Sequence, residues 1–155
     1  MSNSELKQRL HDDMTAALKA RDELRKSTLR MALTAVTKQE VAGKEARELS
    51  DAEVLDVLTA EAKKRRESVT AYREAGREEL AVKEQAEADI LAEYLPEQLS
   101  LEEIAALVTE TIAATGAAEL GPRGIGKVMG ALQPKVKGKA DGGTVSAEVK
   151  RQLGA

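Results

Sequence analysis

The sequence predicts an all-α protein, an N-terminal helical hairpin or bundle domain followed by a small three-helix C-terminal domain. Apolar residues recur at intervals of three and four along most of the chain, which is the spacing of one helix face. No stretch alternates apolar and polar residues as a half-buried strand would. Helix-capping residues stand just ahead of the apolar runs. The 155-residue chain has no Phe and no Trp, and Tyr72 and Tyr94 are its only tyrosines. Its interior must therefore be built from Leu, Val, Ile, Met and Ala, which suits thin helix pairs.

Ser4 caps a first helix over about 5–20, with Leu6, Leu10, Met14 and Leu18 as one apolar stripe. Asp22 caps a second after a very short turn, so the two helices pack antiparallel. Leu24, Thr28, Met31 and Ala35, flanked by Leu29, Leu33 and Val36, give the second helix a broad buried face, and Gly43 supplies its left-handed end. Ser50 with Glu53 forms a capping box opening a third helix through Val54, Leu58, Ala62 and Val69 to Gly76. A fourth runs from about Arg77 to Tyr94 and stops before Pro96.

The composition changes there, and we place a domain boundary: an N-terminal helical domain over 1–95 and a C-terminal one over 96–155. Ser100 and Glu103 make a second capping box ahead of Ile104, Leu107, Val108 and Ile112. Gly116 ends that helix, a short one carrying Ile125, Val128, Met129 and Leu132 stops at Pro134, and a last one carries Val145, Val149 and Leu153.

The net charge of -3 hides a division. Residues 96–120 hold five glutamates and no Lys or Arg, whereas residues 121–155 hold seven cations against Asp141 and Glu148, a net of +5. A weakly acidic protein with such a tail can bind a polyanion locally. The chain lacks cysteine, which excludes disulfides, thiol catalysis and thiolate metal sites. The polar start from Met1 to Leu10 lacks the apolar segment of a signal peptide, and no apolar run approaches the roughly 18 residues of a membrane span. We expect a soluble, cytoplasmic protein with no membrane association, no cofactor and no metal.

Gly121 to Lys127 reads G-P-R-G-I-G-K, but the next residue is Val128 where a phosphate-binding loop needs Ser or Thr. No strand precedes it, and Pro122 removes a backbone N–H. Nucleotide hydrolysis is thus disfavoured. The segment is either a flexible entry into a helix with Val128 packed inward, or a helix N-terminus whose amides and Lys127 receive one RNA phosphate. Lys135, Lys137 and Lys139 fall on an expected loop, either as solubilising charges or as phosphate contacts tolerant of imprecise geometry. Arg123, Lys127, Lys135, Lys137 and Lys139 are the candidate RNA-binding residues. Lys63, Lys64, Arg65 and Arg66 form a secondary basic patch, read first as a solvated helix face with Glu61 and Glu67 nearby, and otherwise as a second RNA contact or a docking surface for a partner. His11 is the only histidine and reads as a surface residue. Glu40, Glu74 and Glu93 have no patterned partner, so no catalytic residue is assigned.

Several strings carry a resemblance. Leu91-Ala92-Glu93-Tyr94-Leu95-Pro96-Glu97-Gln98-Leu99, Gly126-Lys127-Val128-Met129-Gly130 and Lys139-Ala140-Asp141-Gly142 are similar to the GatB/YqeY family, as are Lys63 to Ser68 and Ala71 to Arg77. The resemblance covers nearly the whole chain in order. It implies a helical N-terminal domain and a helical tail like that of GatB, the subunit of a glutamine-dependent tRNA amidotransferase, with a tRNA-facing role. It does not bring the catalytic domains of that enzyme. The expected function is a non-catalytic tRNA-binding module, with tRNA and an aminoacyl-tRNA synthetase or amidotransferase as partners. Two alternatives stand beside it: a component with carbon–nitrogen ligase activity using glutamine as amido donor, and a helical protein–protein adaptor.

Overall fold

The structure, a computed structural model, describes residues 4–154, and among them are seven α-helices, one 3-10 stretch and no strand. The helices are α1 (Glu5–Ala20), α2 (Glu23–Glu40), α3 (Asp51–Glu74), α4 (Glu78–Ala92), α5 (Leu101–Thr115), α6 (Ile125–Val136) and α7 (Gly142–Leu153). The chain divides into two compact units, Met1–Leu95 and Pro96–Ala155.

In the first unit, local chemistry sets the helix starts. The Ser4 hydroxyl accepts the Lys7 N–H at 3.0 Å and donates to Asp51 Oδ1 at 2.5 Å, tying the start of α1 to the start of α3. That hydroxyl, then the Leu6 amide, holds the Asp51 carboxyl below its ordinary value. Arg21 takes a left-handed φ of 60° and Asp22 caps α2 through the Arg25 N–H at 3.1 Å, so a two-residue turn makes the α1–α2 hairpin. Ser50 and Glu53 form the capping box of α3. Gly76, with φ 74°, turns the chain into α4.

Leu10, Leu29, Val36, Val54, Leu58 and Leu91 form the core here with at most 1% exposure. Each contributes on the order of 1.5–3 kcal/mol by leaving water. The small residues Ala32, Ala62, Ala81 and Ala88 are buried between them, so little side-chain bulk separates the helices.

Three expectations for this unit are corrected. Met31 does not belong to the buried face of α2; it is 47% exposed. Leu18 does not complete the α1 stripe; it is 56% exposed, and Ala17 is buried instead. A strict four-residue spacing drifts by about 40° per step on a 3.6-residue helix, so the stripe has rotated about 120° by its fourth member. Nor does Gly43 end α2. The helix stops at Val41, because Glu40 is recruited elsewhere: its side chain accepts Lys7 Nζ at 2.9 and 3.0 Å and the Leu49 N–H at 3.3 Å, and its carbonyl accepts the Arg47 N–H at 2.9 Å.

The second unit packs α5, α6 and α7 about Val108, Val128, Leu132, Val145 and Val149, all fully buried. The Ser100–Glu103 capping box opens α5 and Gly116, at φ 67°, ends it. Between α5 and α6 the 3-10 stretch Ala117–Gly124 bends at Gly121, φ 56° and ψ -137°. Contrary to expectation, Pro134 does not stop α6, which continues to Val136. The proline costs one intrahelical bond to the Gly130 carbonyl, and Gly130 is an exposed residue. Asp141 caps α7 through the Thr144 N–H at 3.1 Å.

A side chain at Gly124 would place Cβ 2.9 Å from the Ala117 carbonyl, whereas one at Gly126 would meet nothing within 4 Å. Gly124→Ala should destabilise the protein by roughly 1–3 kcal/mol through overpacking. Gly126→Ala, in α6, should stabilise it by about 0.5–1 kcal/mol. Urea unfolding followed by helical circular dichroism checks this; equal effects of the two substitutions would refute it.

Candidate nucleic-acid interface

The five tail cations lie along α6 and its two ends. Arg123 sits in the 3-10 stretch, Lys127 in the first turn of α6, Lys135 in its last turn, Lys137 at its C-terminal boundary and Lys139 in the turn that follows. All five are exposed. Lys127 and Lys135 are eight residues apart, about 12 Å of helix. Arg123, Lys127, Lys135 and Lys139 make no ion pair among the described residues. Their charge is therefore directed outward rather than neutralised within the fold.

The lysine segment is not the mobile loop its composition suggests. Lys135 and Val136 belong to α6, and Val136 is buried. The turn beyond them is closed by the Lys139 N–H to the Val136 carbonyl at 2.8 Å, and Gly138 takes a φ of 75°. Two more bonds come from the start of the unit: the Leu99 N–H donates to the Lys139 carbonyl at 2.8 Å, and Gln98 Nε2 donates to the Gly138 carbonyl at 2.8 Å. The strings ending in Gln98-Leu99 and starting at Lys139, far apart in sequence, are thus hydrogen-bonded neighbours. Asp141, the carboxylate next to this turn, is occupied in capping α7.

The entry to α6 differs from a free helix N-terminus. The 3-10 stretch runs straight into the helix, and the Ile125 N–H already bonds the Pro122 carbonyl. Val128 is fully buried. Val128 is thus packed inward, and the Ile125 amide is already bonded within the stretch.

The secondary patch does not stay together. Lys63, Lys64 and Arg66 are exposed, with Lys64 Nζ 3.3 Å from Glu61. Arg65 points inward with 5% exposure. It occupies the stripe Leu58, Ala62, Arg65, Val69, every member of which is buried, so helical geometry removes it from the surface. Its Nη1 donates to the Glu61 carboxylate at 2.5 Å, and Nε lies 3.6 Å from Glu87. Burial first, then the charge of Glu84, pushes the Glu87 carboxyl up, with Arg65 opposing.

Tyr94 joins a polar cluster that sequence reading missed. The residue is 5% exposed and Arg9 lies over its ring at 4.5 Å. Its hydroxyl donates to Asp13 at 2.5 Å and accepts from Arg25 at 3.2 Å, while Arg25 also holds Glu93 at 2.8 Å. A tyrosine in a chain so poor in rings, two residues ahead of a proline, was the available signal. Of the three unpatterned glutamates, Glu40 and Glu93 are thus engaged in ion pairs. His11 is exposed. No group of three or more metal-ligating side chains exists among the described residues.

The profile of a family described as Yqey-like protein matches residues 7–153. Relatives include the "Altered inheritance of mitochondria protein 41, mitochondrial" of Saccharomyces cerevisiae strains YJM789 and Lalvin EC1118, each 33% identical over 88 residues. That match covers 56% of this chain and 46% of each yeast protein, so less than half of either relative is represented.

Burial first, then the bond to Asp13, raises the Tyr94 phenol above its ordinary value. The unfolded phenol ionises near 10 while the folded one keeps its proton. This contribution is therefore complete below about pH 10 and is lost as pH rises beyond it. Stability should fall above about pH 10, and Tyr94→Phe should flatten that fall while costing roughly 1–2 kcal/mol at neutral pH. Unfolding measured from pH 7 to 11 tests this; an unchanged alkaline slope in the variant would contradict it.

Proposed function

The chain belongs to the Yqey-like protein family, and we propose that it is a non-catalytic binding module whose second unit engages the phosphate backbone of folded RNA, tRNA above all. The observation that carries this reading is the set of outward-facing cations from Arg123 to Lys139, displayed on α6 and a hydrogen-bonded turn with no carboxylate set against four of them among the described residues. Backbone contact suits such a surface, because each neutralised phosphate releases counterions irrespective of sequence. The chain offers neither Phe nor Trp on which bases would stack, so shape and charge are the available means of recognition. The likeness of the tail strings to GatB supports tRNA as the RNA, free or held on a tRNA-handling enzyme.

The ligase alternative needs a nucleophile for glutamine hydrolysis, and the chain has no cysteine to supply a thiolate. Charge and shape are what these residues contribute.

Filter binding of tRNA across a salt series tests the reading. The logarithm of the affinity should fall linearly with that of salt. Reversing Lys127, Lys135, Lys137 and Lys139 to Glu should weaken binding and flatten the slope by roughly 2–4, at about 0.9 for each phosphate no longer neutralised. Wild-type and reversed proteins binding tRNA equally would end the proposal.

A further inference from the structure

The first unit carries a cationic groove of its own. It lies between α1 and α2, with a volume of about 760 Å³, and its cations are Lys7 from α1 and Arg30 and Lys38 from α2, with His11 of α1 beside them. None of its lining residues is acidic. The reason is visible along α2: residues 24–39 contain Arg25, Lys26, Arg30 and Lys38 and no Asp or Glu, in a chain with 27 acidic residues overall. Arg30 and Lys38 are exposed and make no ion pair among the described residues. Lys7 is held in place by Glu40 at 2.9 Å, so it shapes the end of the groove more than it charges it.

The spacing fits a charged strand. Arg30 and Lys38 are eight residues apart, about 12 Å along α2, and Lys7 and His11 are one turn apart, about 6 Å. Met14 and Leu33 form the floor. They displace water beside the charges, which makes each charge count for more than on a flat solvated face. Both are half-buried residues packed against the core. What the groove presents to a ligand is a pair of exposed cations without ion-pair partners among the described residues, in a lining that holds no carboxylate, and that charge suits a phosphate chain.

We infer that this groove is a second phosphodiester-backbone site, taking the same class of folded RNA as the tail; the inference rests on the proposed RNA-binding function. Arg30 supplies a planar fork for a phosphate, and Lys38 a mobile point charge for another.

The test uses the full chain, bulk tRNA and a salt series. Arg30→Glu with Lys38→Glu should weaken binding at least about ten-fold at low salt and flatten the salt slope by roughly 2. The neutral pair Arg30→Gln with Lys38→Gln, checked for native helical circular dichroism, should lose about half as much on a logarithmic scale. Lys19→Glu with Lys83→Glu changes net charge equally at two exposed sites outside the groove and should retain most of the affinity. If the groove variants bind like that control, the inference is overturned and the face is left to an acidic protein segment. A groove loss with no loss in the tail-reversed protein would uphold the groove while removing the tail. A wild-type protein that binds no tRNA removes both.

Discussion

Two hydrogen bonds from residues 98 and 99 to carbonyls forty residues onward govern what the second unit presents. Gln98 and Leu99 engage Gly138 and Lys139, and they anchor the turn that the Lys139 N–H to Val136 carbonyl bond closes. Without those two bonds the turn would keep only its local ones, and Lys137 and Lys139 would be held less firmly when a ligand bound. Ordering costs about 0.5–1.5 kcal/mol per long side chain immobilised, and more for the backbone. A turn formed in advance removes the backbone part of that cost. Beside it, Asp141 caps α7 through the Thr144 N–H and hydroxyl.

Elsewhere the same chain disposes of its charge differently. A core without Phe or Trp relies on aliphatic and alanine faces, and the gaps between helices are closed by polar ties. Lys7 with Glu40, Arg65 with Glu61 and Glu87, and Arg25 with Glu93 and Tyr94 join helices, loops and turns of the first unit. Cations with a carboxylate within reach thus serve the fold. Those left over, at Arg30, Lys38 and along α6, face outward.

Local rules made much of this legible from sequence. Ser4, Asp22, Ser50 and Ser100 all cap helices as their sequence positions indicate, because capping depends on the next three residues and little else. Tertiary context hid the rest. Arg65 reads as one of four consecutive cations, yet its place in the Leu58–Ala62–Val69 stripe turns it inward. Pro134 reads as a stop, yet the helix runs two residues past it to Val136, which is buried in the core of the unit. The groove of the first unit was illegible for another reason. Its cations are shared between two helices, and only the acid-free run along α2 hinted at it.

The most direct measurement is lysine footprinting by acetylation and mass spectrometry on the intact protein, with and without saturating tRNA. The account predicts that Lys127, Lys135, Lys139 and Lys38 are shielded by the RNA, while Lys19 and Lys83 react at the same rate in both samples. Uniform reactivity with and without tRNA, or shielding confined to Lys19 and Lys83, would contradict it.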